Sequence, residues 1–289
     1  MSLLEELLAA TPVLTDGAWG TQLQARGLGP GECPDQWNLT RPAEVEQVAR
    51  AYVEAGSRVI LSNTFGSNRV ALAGHGLAGK AAELNRAGAA ISRRAAAGRA
   101  KVFASIGPSG KMLISGETTE DELRAAFAEQ ARALAEGGAD ALVVETMSDL
   151  AEAKIALEAA KSTGLPVVAC MVFDTGRNKD RTMMGATPEQ AAGELTAYGA
   201  DVVGANCGVG VESYIAICRR LKAATDQPVW IKANAGLPEL AGGKTVWKMT
   251  PEAFAGFVPQ LIQAGASFIG GCCGTSPEFI RAVAGAIGR

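Results

Sequence analysis

The sequence predicts a (β/α)8 TIM barrel, a single α/β domain running through residues 1–289. Apolar runs alternate with Ala- and Glu-rich helical stretches, the pattern of parallel βα units. The apolar runs number eight, at residues 12–16, 58–63, 101–106, 141–145, 166–173, 201–206, 228–233 and 266–271. A weak internal repeat pairs them. Helices before the even-numbered strands end in Glu54-Ala55-Gly56-Ser57, Glu136-Gly137-Gly138-Ala139-Asp140, Tyr198-Gly199-Ala200-Asp201 and Gln263-Ala264-Gly265-Ala266. The odd-numbered strands open on Pro12, Lys101, Pro166 and Pro228, each followed by valine. Four such double units close a ring of eight, and roughly 250 residues is the usual size of that ring. An open doubly wound sheet would carry a Gly-rich dinucleotide fingerprint after its first strand, and Asp16-Gly17-Ala18-Trp19-Gly20 is not one.

In order, residues 3–10 read as a short helix leading into the first strand. Helical stretches at 42–55, 78–97, 120–136, 149–162, 188–198, 211–224 and 251–264 then separate successive strands, and 277–287 follows the last. A hydrophobic content of 48% is enough to bury a substantial core. Net charge is −3, from 27 basic and 30 acidic residues well mixed along the chain, so there is no basic footprint for nucleic acid. No apolar run reaches the ~20 residues of a membrane span. The start, with Glu5 and Glu6 and no basic segment, does not read as a signal peptide. Six scattered cysteines do not form a disulfide framework, and a reducing cytoplasm is expected.

In such barrels the functional groups sit at the C-terminal ends of the strands. Those ends carry Asp16, Asn63-Thr64-Phe65, Gly107-Pro108-Ser109-Gly110, Glu145-Thr146, Asp174, Asn206-Cys207, Asn234 and Cys272-Cys273. Neighbouring side chains on a strand point to opposite faces, so Cys272 and Cys273 share a site only if the chain turns there. The glycines around them in Gly270-Gly271-Cys272-Cys273-Gly274 permit that turn. Taken singly, each cysteine reads as a buried apolar residue. The adjacent pair, with Cys207 at a matching strand end, reads instead as three thiolates for zinc with the fourth position open. A vicinal disulfide is strained and disfavoured in a reducing cell. Cys33, Cys170 and Cys218 lie off the strand ends and read as structural.

Three thiolates make zinc a weak Lewis acid toward water, and the site is better suited to a fourth sulfur. A substrate thiol, with a free pKa near 8.5, is held there as thiolate at neutral pH. Asp16 and Glu145 are each ordinary loop carboxylates alone, and together they can bind an ammonium group. Backbone N–H groups at Gly17, Ala18 and the Gly107–Gly110 turn are available for a carboxylate. The combination describes an amino-acid thiol. His75, the only histidine, reads as a surface residue and supports no catalytic triad. Gly242-Gly243-Lys244-Thr245 imitates a phosphate loop, but the required earlier glycine position holds Pro238. Lys232 in the seventh strand is either a Schiff-base nucleophile or a paired barrel lysine. The segment from Arg177 to Arg181 reads as a solvated charge cluster.

Asp16-Gly17, Asn63-Thr64-Phe65, Gly107–Gly110, Glu145-Thr146, Asn206-Cys207-Gly208, Asn234–Pro238 and Gly270–Thr275 together resemble the zinc-dependent homocysteine S-methyltransferase family, over nearly the whole chain. Asn234-Ala235-Gly236-Leu237-Pro238 makes it most similar to the homocysteine-binding barrel of cobalamin-dependent methionine synthase. The resemblance implies zinc on Cys207, Cys272 and Cys273, with the homocysteine amino group held by Asp16 and Glu145. Thr146 and the backbone around Gly17 would complete the clamp, and Asn234 would occupy the metal in the absence of substrate. The implied reaction is methylation of homocysteine to methionine.

The chain ends soon after its eighth unit, so the methyl donor is expected to come from a separate corrinoid (cobalamin) protein or to be a small sulfonium or ammonium compound. Betaine-using relatives cage the quaternary ammonium with aromatic rings. Here Gly66 follows Phe65, where those relatives have tyrosine, and Trp19 and Phe65 supply part of a cage. Two other readings stand beside this one: a Schiff-base aldolase acting through Lys232, and a non-catalytic zinc- or thiol-binding subunit.

Overall fold

Apolar side chains that alternate along each strand have two surfaces to bury, and a closed ring of strands wrapped in helices buries both. The computed structural model describes residues 1–241 and 244–288, so Gly242 and Gly243 of the phosphate-loop-like segment lie outside the described residues. The strands are β1 (Val13–Leu14), β2 (Val59–Ile60), β3 (Lys101–Ile106), β4 (Ala141–Met147), β5 (Val167–Met171), β6 (Val202–Gly210), β7 (Val229–Asn234), a hairpin of β8 (Glu239–Ala241) and β9 (Lys244–Val246), and β10 (Ala266–Gly271). Apart from the hairpin they form one parallel sheet in the order β1-β10-β7-β6-β5-β4-β3-β2. The ring closes between β1 and β2, where the Arg58 N–H donates to the Leu14 carbonyl at 2.9 Å and the Ser57 hydroxyl donates to the Thr15 carbonyl at 3.2 Å. The expected eight-stranded barrel is the observed fold.

Side chains facing outward from the strands pack under the surrounding helices, among them Pro42–Glu54, Ala81–Ala96, Glu120–Glu136 and Val211–Ala223. Those facing inward fill the barrel with Val13, Val59, Val143, Val168 and Val202, and with an aromatic layer of Phe103, Trp230 and Phe268. Ring centroids in that layer are 6.0 Å apart for Phe103–Trp230 and 5.2 Å for Trp230–Phe268. Leu7, on the N-terminal helix Leu3–Leu8, plugs the base below it.

The repeat seen in the sequence has a conformational cause. Gly56, Gly138, Gly199 and Gly265 adopt φ of 104°, 92°, 92° and 102°, a left-handed turn out of each helix that a Cβ would oppose. The stretch expected as one helix over 251–264 is two, Pro251–Ala255 and Val258–Gln263. Pro259 is the reason: its ring would clash with the carbonyl four residues back, at Ala255, where the first helix stops. Short helices at Gly20–Gln24, Trp37–Thr40 and Arg69–Ala73, and the β8–β9 hairpin, were not expected. Each lies in a connection on the C-terminal side of the ring.

Candidate active site and metal centre

Two-residue periodicity carries each strand from the aromatic layer into the site. One inward step above Phe103 is Ser105, above Val143 is Glu145, above Trp230 is Lys232, and above Phe268 is Gly270, with Cys272 following. Lys232 is level with Asn206 on β6 and with Gly270 on β10. Above this tier opens a cavity of about 440 Å³. Its walls include Gly17, Trp19, Phe65, Glu145, Thr146 and Lys232. Cys207, Cys272 and Cys273 line it as well.

The three sulfurs, drawn from β6 and from the turn after β10, all lie within 4.8 Å of one another. The Cys207 and Cys273 sulfurs are 3.9 Å apart. Tetrahedral zinc with Zn–S bonds of about 2.3 Å needs sulfurs about 3.8 Å apart, which the Cys207–Cys273 edge matches. The surrounding backbone is tied down. Cys272 N–H donates to the Ala233 carbonyl at 2.7 Å, and the Asn234 side chain accepts from Cys273 N–H at 2.9 Å while donating to the Gly208 carbonyl at 3.0 Å. Tyr214 hydroxyl donates to the Cys207 carbonyl at 2.8 Å. Gly274, at φ 81°, leaves room for the Trp247 indole, whose Cγ a Cβ there would approach to 2.3 Å.

The electrostatics of the triangle are uneven. Hydrogen bonds from the Cys272 and Cys273 thiols hold Cys207 as thiolate, with its pKa lowered to about 3. The same charge on Cys207 raises Cys273 to about 12 and Cys272 well above the ordinary thiol range. One negative charge thus belongs to three sulfurs, and a divalent cation is the group that would admit the other two.

The two carboxylates expected to act together do not share the cavity. Glu145 lines it, whereas Asp16 is fully buried behind the wall with both oxygens engaged. Asp16 Oδ2 accepts from Trp19 Nε1 and from Leu61 N–H, each at 2.7 Å, and Oδ1 is ion-paired with the Lys232 ammonium. Three protein donors thus leave a fourth acceptor site on the Asp16 carboxylate, on Oδ1. Lys232 proves to be the paired barrel lysine. Burial alone would lower its pKa, but the charges of Asp16 and Glu145 outweigh that and raise it. A Schiff-base nucleophile needs the opposite shift.

Glu145 accepts from the Ser105 hydroxyl and from Asn206 Nδ2 at 3.2 Å. Burial raises its carboxyl pKa, opposed by Lys232 and by the Ser105 hydrogen bond. Asn206 also grips Thr146, donating to its hydroxyl at 2.7 Å and accepting from its N–H at 2.8 Å. Thr146 and Cys207 both sit at positive φ, 60° and 65°. Such backbone costs a non-glycine residue on the order of 1 kcal/mol, and it turns the Thr146 hydroxyl and the Cys207 sulfur toward the site.

Asn234 braces the two cysteine turns through both ends of its amide. Two of the expected carboxylate-binding amides are likewise engaged: Ala18 N–H by the Thr275 hydroxyl at 3.1 Å, and Gly107 N–H by the Phe65 carbonyl at 2.9 Å. Trp19 and Phe65 stand on the outer wall beside Asp35, which sequence reasoning missed. Asp35 Oδ1 accepts from Gly66 N–H at 3.1 Å and from the Ser67 hydroxyl at 2.6 Å, and burial raises its pKa. His75 is exposed at the rim. Cys33, Cys170 and Cys218 are buried, and burial raises all three thiols. Cys33 lines the cavity but sits away from the triangle. In the 177–181 turn, Asp180 pairs with Arg220 at 2.5 Å, and the remaining residues are exposed. No helix among the described residues is long and apolar enough to cross a membrane.

The chain is 34% identical over 305 residues to methionine synthase of Mycobacterium leprae, a match covering 99% of this chain and 25% of the relative. It is 34% identical over 306 residues to methionine synthase of Mycobacterium tuberculosis, covering 98% and 25%. The chain thus spans about a quarter of the length of these curated relatives. The metallated homocysteine methyltransferase MmuM of Escherichia coli has the same fold, with a TM-score of 0.81 at 24% identity over 97% of this chain and 98% of that one. A family model described as homocysteine S-methyltransferase matches residues 13–287, and the chain belongs to that family.

Proposed function

We propose that the protein methylates the thiol of homocysteine to give methionine, using zinc held by Cys207, Cys272 and Cys273. The observation that carries this reading is the sulfur triangle, within 4.8 Å on all sides and next to a buried carboxylate in the same cavity. Zinc bound there would supply one thing, a substrate sulfur kept as thiolate at neutral pH.

The chain's own residues do the rest. Glu145, oriented by Ser105 and Asn206, receives the substrate ammonium; that cation offsets the burial that raises its pKa. The strained turns at Thr146 and Cys207 fix the distance between the ammonium subsite and the sulfurs. The sulfur lone pair then attacks the donor methyl carbon, and the donor departs with the electrons of the broken bond. Holding both reactants in line supplies much of the rate in such a transfer.

Trp19, Phe65 and Asp35 form the donor side of the cavity. Aromatic faces and a carboxylate favour a cationic methyl compound. A corrinoid carried by another protein or segment is the second donor class, favoured by the similarity to methionine synthases four times as long.

The deciding experiment is methyl transfer to homocysteine by the zinc-loaded protein, offered methylcobalamin, S-methylmethionine, betaine and a dimethylsulfonium acid in parallel. Methionine formed from any donor, and lost together with zinc in Cys207→Ala and Cys273→Ala, supports the reading. Full rate and full zinc content in both variants would refute it.

A further inference from the structure

The turn that carries Cys272 and Cys273 is held by hydrogen bonds on one side and by packing on the other. Ala235 N–H donates to the Cys273 carbonyl at 2.9 Å, and Gly274 N–H donates to the Thr21 hydroxyl at 3.3 Å. Against the Gly274 Cα lies the Trp247 indole: a Cβ there would come within 2.3 Å of Trp247 Cγ and 2.5 Å of both Cδ1 and Cδ2. Three adjacent ring atoms at nearly one distance place that corner of the indole directly on the residue that follows Cys273. Trp247 is not part of the cavity wall, so it reaches the site through this turn.

The connection between β7 and β10 grips the turn twice. It leaves β7 at Asn234 and Ala235, which bind Cys273 N–H and carbonyl, and it comes back at Trp247, immediately after β9. The hairpin fixes where the indole arrives: Glu239 is opposite Val246 in the β8–β9 register and pairs with the Lys248 ammonium at 2.7 Å. Trp247 Nε1 is buried with no acceptor among the described residues. Its N–H therefore adds nothing to the contact, and the flat apolar ring is the feature in use.

Resting on the zinc reading above, we infer that Trp247 is a positioning residue for the metal: it closes the β7–β10 connection as a clasp on the Cys272–Cys273 turn. The Cys273 sulfur stands 3.9 Å from that of Cys207 in one shape of this turn. Gly274, at φ 81°, has many other shapes open to it once the indole is gone, because glycine lacks the Cβ that would exclude them. Groups that orient metal ligands from behind typically change metal affinity by about 10–100-fold.

Zinc affinity is measured by competition with a chromophoric chelator on wild type, Trp247→Ala and Trp247→Phe. Val283→Ala, in the buried face of the helix Pro277–Ala286, is the control for general destabilisation. Melting of the metal-free forms and the sulfur-to-cobalt charge-transfer absorption of the cobalt-substituted forms are recorded in parallel. Trp247→Ala is expected to bind zinc about 30-fold more weakly and to show a weaker charge-transfer band, while Trp247→Phe stays within about threefold of wild type. Val283→Ala should melt lower and keep wild-type zinc affinity, the pattern a merely structural tryptophan would also give. Unchanged zinc affinity in Trp247→Ala, or an equal loss in Trp247→Phe, overturns the clasp alone. If Trp247→Ala does not fold, Trp247→Leu, which keeps apolar bulk without a flat ring, takes its place under the same criteria. Wild-type zinc affinity that survives Cys207→Ala overturns the clasp together with the parent reading.

Discussion

Asn206→Ala is the substitution that most directly tests how the site is held. The side chain is 1% exposed, and three of its hydrogen bonds join the tops of two strands: to Glu145 at 3.2 Å, to the Thr146 hydroxyl at 2.7 Å and from the Thr146 N–H at 2.8 Å. At about 1 kcal/mol each, their loss destabilises the fold by roughly 3 kcal/mol. Relaxation of the positive φ at Thr146 returns about 1 kcal/mol. The net, about 2 kcal/mol, corresponds to a Tm lower by roughly 4 °C for a chain of this size. Glu145 keeps Ser105 as a partner, so the ammonium subsite is loosened rather than removed. KM for homocysteine should rise about tenfold, and kcat should fall less. Calorimetric melting and steady-state kinetics with varied homocysteine measure both quantities. An unchanged KM with a Tm shift under about 1 °C would show that Asn206 is not the brace described here.

Two further predictions concern charge. Burial raises the Glu145 pKa above the ordinary glutamate range, so its ionised form opposes folding, and stability is lost as pH rises through the folded-state value. Glu145→Gln should therefore raise the Tm of the ligand-free protein by about 2 °C at pH 8 and by nothing below the ordinary carboxylate pKa, while KM for homocysteine rises at least about tenfold. Melting curves across pH check the sign, and a variant less stable at pH 8 would contradict it. Hydrogen bonds within the triangle favour a thiolate on Cys207 and oppose ionisation of Cys272 and Cys273. Zinc binding should then release about two protons, read from calorimetry in buffers of different ionisation enthalpy, with affinity rising about 100-fold per pH unit. A release near zero or near three would show a different resting charge on the sulfurs.

The ring of strands was legible because each strand is a compact apolar run and each even strand is preceded by a left-handed glycine such as Gly56 or Gly199. The sulfurs were legible for a related reason: Cys272, Cys273 and Cys207 all sit where such a run stops. What stayed hidden were pairings across the ring. Lys232 and Asp16 are 216 residues apart in the chain, so no local pattern joins them. Ser105 and Asn206 were recoverable in principle, since they share inward parity with Phe103 and Val202 on their strands. Asp35 gave no such signal, because it lies in an irregular stretch where period-two and helical patterns both fail. Pro259 is visible in the sequence, but the apolar pattern runs on through 251–264 and masks the break.

Among the described residues, four other than glycine adopt a positive φ: Ala97, Thr146, Lys179 and Cys207. Ala97 closes a helix and Lys179 sits in a tight turn, where such geometry is commonplace. At Thr146 and Cys207 no helix end or hairpin asks for it, and glycine would sit there with less strain. Protein engineering guided by folding stability alone would therefore favour replacing both, deleting a hydroxyl and a sulfur from the reaction chamber. Residues that local physics would vote out, yet the chain retains, mark the working face of this barrel.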